Sequence, residues 1–321
     1  MRRALAALWG WVARTEQGTA LALFRIGLGL CVLNVVLPML WTGVHTLLLV
    51  DVSDGGYRSI KGDWLVGLLG GPTQAGVGRL GALTAAFGLL LTLGLGGRAT
   101  ALGALLCCIS LFKLNPSAGG GHDRLLTNAL WLTVLAESTA TLSLDCWRRT
   151  RRFTSDRLVP AWPRFLAVYQ IVAVYTATGT QKLGVDWMPW GGFNAVYKAL
   201  MMPSWRRFDM SWLGPFYPLT QLASAMTLVF EWGAVVWLLS AWFRDTRDRP
   251  GWLRATFNRL DLRAVWALMG VGMHLGIQLF MNVGPFSWVT LSFYACLWHP
   301  DEWRAFGQRV RARLGRAQTS P

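Results

Sequence analysis

The chain has 321 residues, of which 53% are hydrophobic, 15% are charged and 19 are tryptophan. This composition is more apolar and richer in indole than that of a soluble globular domain. The formal net charge is +15, but the basic residues fall in clusters between apolar runs, so nucleic acid is not predicted as a partner.

Apolar runs long enough to cross a bilayer recur along the whole chain. A helix needs roughly 17 to 25 residues to cross a hydrocarbon core of about 30 Å. The predicted fold class is therefore all-α, a polytopic membrane bundle of eight helices in contact with lipid. In chain order, the predicted spans are residues 20–40, 79–95, 99–114, 124–143, 164–183, 215–242, 264–282 and 284–299.

The distribution of arginine and lysine predicts the orientation of these spans. If the N-terminus is cytoplasmic, 21 basic residues lie on the cytoplasmic side and eight on the opposite side. This asymmetry favours an even number of spans with both termini cytoplasmic. Residues 1–303 are predicted to form the transmembrane domain, and residues 304–321 a basic cytoplasmic tail that lies on anionic lipid or is disordered.

The longest predicted extracytoplasmic segments are residues 41–78 and 184–214. Both are too short to form independent cores. In the second, Phe193, Val196, Tyr197 and Leu200 follow helical spacing between flanking tryptophans, which predicts a short interfacial or re-entrant helix.

Several motifs of soluble enzymes are absent from the sequence. The five cysteines form no CxxC pair, and there is no HExxH, no Walker glycine loop, no GxSxG and no Cys/His metal spacing. The sequence therefore predicts no metal site and gives no support for a hydrolase, a kinase or a zinc enzyme.

Lys182 comes at the end of the fifth predicted span and shares a helical face with Tyr175, Thr178 and Gly179. A lysine in an apolar pocket loses part of the stabilisation of its ammonium form, so the neutral amine becomes available as a general base. The alternative is an anchoring lysine whose stem is buried and whose ammonium reaches the interface, paired with Asp186. The residues alone leave both interpretations open.

His122 follows a run of three glycines and precedes the fourth predicted span. The predicted topology places it on the same membrane face as Lys182. An imidazole there can orient a ligand hydroxyl, because its two nitrogens can donate and accept at neutral pH. The alternative is an ordinary helix start, with Asp123 beside the positive end of the helix.

Other polar residues inside the predicted spans are few and costly in lipid. Arg25 needs a carboxylate from another helix, and Glu231 and Glu137 are the candidates; such a pair is expected to fix helix packing. His274 begins a polar stripe that continues through Gln278 and Asn282. That stripe either lines a cavity or bonds neighbouring helices.

These residues together resemble a known membrane family. The matching stretches are LALFRIGLGL at 21–30, GGHDRLL at 120–126, YTATGTQKLGVDW at 175–187, VFEWG at 229–233 and MHLGIQLFMNVGPFS at 273–287. They resemble, in order, the membrane domain of vitamin K-dependent gamma-glutamyl carboxylases and their bacterial relatives, the horizontally transferred transmembrane (HTTM) family.

The resemblance implies a function for the site. In that family the lysine matching Lys182 deprotonates reduced vitamin K, which then reacts with oxygen to give an epoxide, and the histidine matching His122 lies near the quinone. It follows that this chain is expected to bind reduced vitamin K or a menaquinol-type quinone and to epoxidise it, in a bacterial cytoplasmic (inner) membrane. The residues expected to contact the quinone are Tyr175, Gln181, Trp187, Trp190 and His274, with residues 187–212 as a lid.

Two departures and two alternatives qualify these expectations. Gln181 replaces the second lysine of the carboxylase pair, and Gly121 replaces an asparagine before His122. The soluble glutamate-presenting domain of the carboxylases has no counterpart in these residues, so the resemblance does not imply glutamate carboxylation. The first alternative is a non-catalytic factor that matures a secreted peptide or toxin. The second is a transporter or lipid-binding protein that uses Arg25, Glu231 and His274 along a path.

Overall fold

The structure, a computed structural model, describes residue 10 and residues 13–317, and most of these residues are helical. The chain divides into two compact units. The first unit comprises the described residues up to Ala167 together with those from Trp298 onward, and the second is Val168–Leu297. Each unit is described by itself below.

The first unit is built on four helices and one small sheet. Its long helices are α1 (Thr19–Thr42), α4 (Gln74–Leu93), α5 (Gly97–Leu114) and α6 (Gly121–Leu135). Its shorter helices are α2 (Val44–Leu48), α3 (Trp64–Leu68) and α7 (Leu144–Thr150), and α15 (Pro300–Ala317) follows the second unit in the chain. Strands β1 (Thr15–Gln17) and β2 (Leu158–Pro160) pair antiparallel.

Small residues allow α1 and α4 to pack closely. A Cβ at Gly29 would lie 2.3 Å from Oγ1 of Thr92, and one at Gly88 would lie 2.9 Å from Cγ1 of Val32. Close approach of backbones at small residues is how helices associate in lipid, where the hydrophobic effect contributes little. At the end of α1, Gly43 adopts a left-handed conformation with φ +71°, which terminates the helix.

The segment between α1 and α4 packs on α4 and α5 through one apolar cluster, in which Leu49, Val50 and Ile60 join residues of both helices. Asp51 organises the turn: its carboxylate accepts from the backbone N–H of Ile60 at 2.6 Å, and from the backbone N–H and hydroxyl of Ser53. These donors, the Ile60 N–H first, hold the pKa of Asp51 well below its usual range.

The second unit contains the remaining helices. Helix α8 (Trp162–Gln181) begins in the first unit and ends in the second. It is followed by α9 (Ala195–Met201), α10 (Tyr217–Trp232), α11 (Val236–Asp245), α12 (Trp252–Leu260), α13 (Leu262–Phe280) and α14 (Phe286–Phe293). The short helix predicted between the flanking tryptophans is confirmed as α9, which packs through Leu200 on Met210 and Leu213.

Within the described residues, five helices are long and apolar enough to cross a membrane, so the all-α polytopic class is confirmed. They are Thr19–Thr42 (α1), Gln74–Leu93 (α4), Gly97–Leu114 (α5), Leu262–Phe280 (α13) and Ser211–Asp245, a continuous stretch that contains α10 and α11. The predicted span at 284–299 corresponds to a shorter apolar helix, Phe286–Leu297, and the one at 164–183 to α8, which carries Arg164 and Gln170. The count of eight and the orientation of the termini stay predictions.

The predicted end of the fourth span, at residue 143, is wrong. Helix α6 stops at Leu135, because Ala136 adopts an extended conformation with ψ 158°. Glu137 therefore lies in a turn, where its carboxylate accepts a hydrogen bond from Arg157 at 2.7 Å and lies 3.9 Å from Arg98.

At the C-terminus, residues 304–317 are the continuation of α15, so this part of the predicted tail is helical.

Candidate functional site

Lys182 forms an ion pair with Glu231. It follows the last residue of α8, and its Nζ donates to Oε1 of Glu231 at 2.7 Å and to Oε2 at 2.6 Å. The Lys182 side chain is 21% exposed and that of Glu231 only 7%. The ring of Trp187 lies 5.3 Å from Nζ and covers the ammonium by a cation–π contact. A proton donor and a proton acceptor thus face each other in a largely dry setting.

Glycine at position 179 permits this pairing. A Cβ there would lie 2.6 Å from Cδ1 of Trp232 and 3.1 Å from Cβ of Glu231. Helices α8 and α10 therefore approach each other at the turn that precedes Lys182. A larger side chain at Gly179 would separate the two charged groups.

A second polar group surrounds Tyr175, which lies two helical turns before Lys182 on α8. The Tyr175 hydroxyl is 2.7 Å from Nε2 of His274 and 2.9 Å from the hydroxyl of Tyr294. All three residues are buried, and the rings of Phe230 and Trp237 pack against Tyr175 at 4.7 and 5.7 Å. The three polar groups form one chain inside an aromatic wall.

Three buried polar atoms near the end of α13 and the start of α14 have no hydrogen-bond partner among the described residues. They are Nδ1 of His274, Oε1 of Gln278 and Oγ of Ser287. A buried polar atom without a partner costs about 1 to 3 kcal/mol, so native proteins rarely leave one unpaired. Nε2 of Gln170 in the same unit is likewise unpartnered among the described residues, and each of these atoms can still form a hydrogen bond.

The other residues predicted to contact a quinone differ in their exposure. Trp187 contacts Lys182, and Tyr175 and His274 contact each other, whereas Gln181 and Trp190 are exposed. Asp186, the partner expected if Lys182 were only an anchor, instead accepts a hydrogen bond from Lys198 at 2.7 Å. That predicted pairing is wrong.

His122 lies in the first unit, at the start of α6. Its Nε2 is 3.0 Å from Oδ1 of Asp123, and its Nδ1 is buried without a partner among the described residues. The backbone N–H of Gly120 donates to Oδ2 of Asp123 at 3.1 Å and so caps the helix. The helix-start interpretation accounts for Asp123, but it leaves Nδ1 of His122 unexplained.

The predicted pairing of Arg25 is wrong. The guanidinium is fully buried, and it donates to the backbone carbonyls of Ser138 at 3.2 Å and Leu142 at 2.7 Å rather than to a carboxylate. Glu231, one of its two candidate partners, pairs with Lys182 instead. Arg25 thus fixes the turn that follows α6, in keeping with its predicted structural role.

Sequence reasoning missed three members of the site. It assigned Glu231 to the wrong cation, and it did not single out Tyr294 or Ser287. The VFEWG stretch contained the signal for Glu231, since it holds one of the few carboxylates inside a predicted span. No comparable signal marked Tyr294 or Ser287, because tyrosine and serine occur in membrane helices for packing alone.

Comparison with known families gives one match. The model of the HTTM domain matches residues 13–303, which is nearly the whole chain. No curated protein and no solved structure matches the chain. HTTM is the membrane domain of vitamin K-dependent carboxylase-like proteins. With its apolar helices, this chain is an integral membrane protein that belongs to the HTTM family.

Proposed function

We propose that the second unit binds a reduced isoprenoid quinone and that Lys182 removes a proton from it. The observation that carries this proposal is the bidentate ion pair between Lys182 and Glu231. Only 21% of the Lys182 side chain is exposed. An anchoring lysine would direct its ammonium to the interface and to phosphate or water. Here the ammonium is instead held by a buried carboxylate.

The unpartnered atoms of the second unit fit a quinol. A quinol presents two hydroxyl groups on an apolar ring, and Nδ1 of His274 and Oε1 of Gln278 can each bond such a hydroxyl. The aromatic wall of Phe230 and Trp237 suits the apolar ring. A bound quinol would react with oxygen, and this reaction would convert it to its epoxide.

Glu231 gives Lys182 a route to its neutral form. An ammonium has no lone pair, so Nζ cannot act as a base until it has lost a proton. Transfer of that proton to Oε1 or Oε2, only 2.6 to 2.7 Å away, leaves a neutral amine beside a neutral acid. The transfer removes two charges from an apolar setting, which offsets part of its cost. Nζ can then accept one proton from the ligand.

The orienting role of His122 stays what the resemblance implies, because this residue belongs to the first unit. The bacterial cytoplasmic membrane as location belongs to the proposal on the ground of the resemblance, and a secreted peptide as partner belongs to the non-catalytic alternative.

The test uses purified protein with reduced vitamin K or menaquinol and oxygen. Wild type is expected to form epoxide, and Lys182→Met to form none. Lys61→Met is the control, since Lys61 is exposed and lies outside the residues proposed to contact or cover the quinone; it should keep wild-type activity. Absence of epoxide from folded wild type, or equal epoxide from Lys182→Met, would rule the proposal out. Retained maturation of a secreted peptide by Lys182→Met would then favour the non-catalytic alternative.

A further inference from the structure

A basic cavity lies in the first unit, at the turn that follows α6. It has a volume of about 230 Å³ and is lined by Arg98, Ala136, Glu137, Thr139, Ala140, Arg149 and Arg157. Three guanidinium groups and one carboxylate therefore share this cavity, which leaves two positive charges in excess.

Only part of the hydrogen-bonding capacity of these arginines is used. Arg149 donates from Nη2 to the carbonyl of Thr139 at 2.8 Å, and Arg157 donates from Nη2 to Glu137. Arg98 donates from Nε and Nη2 to the carbonyls that end α6. A guanidinium has five N–H donors in a planar fork that matches phosphate oxygens. Each arginine keeps donors for an anion.

The cavity lies at the start of α5 and the end of α6. Arg98 is the second residue of α5, and Ala136 follows the last residue of α6. Within about one turn of it, Leu102, Trp131 and Leu135 expose apolar surface. The exposed Trp147 of α7 stacks on Phe153, as aromatic residues do at the membrane interface. The charge distribution predicts that this end is cytoplasmic.

We infer that this cavity binds a phosphate group, and the apolar surface beside it points to the headgroup of an anionic phospholipid. A phosphate is the anion available at this depth, and basic cavities between helices on the cytoplasmic side bind such headgroups. The volume suits a headgroup better than a drug-sized ligand, which occupies roughly 300 to 1,000 Å³. Glu137 does not prevent binding, because it neutralises only one of the three guanidiniums.

The test is made on the full-length protein, delipidated in neutral detergent, with melting temperature and native mass spectrometry as readouts. Phosphatidylglycerol, phosphatidylcholine and inorganic phosphate are added separately. Phosphatidylglycerol is expected to raise the melting temperature and remain bound. In Arg149→Gln/Arg157→Gln its affinity is expected to fall at least about tenfold, since two charge-assisted contacts are lost.

A charge-matched control separates the cavity from general electrostatics. Arg247→Gln/Arg249→Gln removes two exposed arginines from the second unit, and it should change the affinity less than about twofold. Thr139→Glu adds a carboxylate to the cavity and keeps every arginine, so it should also weaken binding. It serves as the test of the cavity if the double variant fails to fold. Stabilisation by inorganic phosphate alone, lost in the cavity variants, would identify free phosphate as the ligand. Equal loss in cavity and control variants, or no effect of any phosphate on wild type, would overturn the inference.

Discussion

Arg25 in the first unit and Lys182 in the second lie in predicted spans, and these two cations are stabilised differently. Arg25, in the first unit, is fully buried and is held by two backbone carbonyls. Lys182, in the second, is held by the two oxygens of Glu231 and keeps 21% of its side chain exposed. A carbonyl cannot accept a proton at neutral pH, and a guanidinium does not release one. The carboxylate and the ammonium can exchange one.

The difference shows how a membrane protein separates structural from reactive charge. Arg25 is a fixed cation: two of its N–H groups hold the turn after α6, while its Nε is buried without a partner among the described residues. Lys182 and Glu231 form a pair whose proton has two places to reside, and one partner is accessible. Intramembrane charge is costly in both cases, but only the second arrangement can be used in a proton transfer.

The largest expected effect tests the fixed cation. Arg25→Met should lower the free energy of unfolding by about 3 kcal/mol or more, because two buried carbonyls lose charge-assisted donors worth about 1.5 kcal/mol or more each. Arg148→Met, which removes an exposed arginine, should stay within about 0.5 kcal/mol of wild type. Denaturant titration in detergent measures both. A stable Arg25→Met variant would mean that the turn after α6 does not depend on this side chain.

The next effect tests the exchangeable pair. Lys182→Met should cost about 3 kcal/mol, since it leaves the buried carboxylate of Glu231 uncompensated, and Glu231→Leu should cost less, since Lys182 is partly exposed. The double variant should be more stable than either single variant, because an apolar pair replaces a charged one of similar volume. A double-mutant cycle on unfolding measures the coupling.

All three variants should nevertheless lack epoxidase activity. If the double variant regains stability but not epoxidase activity, the structural role of the pair is separate from its catalytic role. Strictly additive losses would show that the two side chains do not interact.

The contrast between the two cations also shows what could be predicted from the sequence. Apolar run length predicted α1, α4, α5 and α13 closely, because a bilayer fixes how long a span must be. Helical spacing placed Lys182 on the same face as Tyr175, and this needed only local geometry.

Partner choice could not be predicted in the same way. Arg25 bonds a turn formed by residues more than 100 positions away, and Glu231 lies 49 positions from Lys182. The end of α6 was mispredicted although the sequence contains a signal for it, since residues 137–143 are mostly small and polar and the helix stops at Leu135. Such pairings depend on how helices pack, which local patterns in a single sequence do not specify.

A smaller effect tests how closely α8 and α10 must approach. Gly179→Ala should destabilise the chain by about 1 to 3 kcal/mol, since the new Cβ would lie 2.6 Å from Trp232. Gly276→Ala is the matched control: this glycine lies inside α13 with no atom within 4 Å of an added Cβ. It should be neutral or stabilising by about 0.5 to 1 kcal/mol, as alanine is favoured in a helix. Opposite signs for the two substitutions would confirm that position 179 is limited by contact; equal signs would contradict it.

The chain of hydroxyls at Tyr175 is expected to contribute less. Tyr175→Phe removes the group that links His274 to Tyr294 and should cost about 1 to 2 kcal/mol, because two buried polar groups lose a partner. Tyr169→Phe, at an exposed position of the same helix, should have no measurable effect. If Tyr175→Phe also raises the KM for quinol while leaving kcat unchanged, the hydroxyl chain positions the ligand. An unchanged KM would limit Tyr175 to a structural role.

The smallest effect concerns Asp51, a charged residue of the first unit in a segment predicted to lie outside the membrane. The pKa of Asp51 is lower in the folded chain than in the unfolded chain, so its ionisation stabilises the fold above the unfolded value of about 3.9. That contribution is lost as the pH falls below this value toward the folded pKa. Asp51→Asn should therefore melt below wild type at pH 7, and the gap should narrow progressively as the pH falls from about 4 toward 2. Asp248→Asn, an exposed aspartate of the second unit, should show no gap at any of these pH values. A gap for Asp51→Asn that is independent of pH would mean that the shape of the turn, and not the charge of Asp51, stabilises this segment.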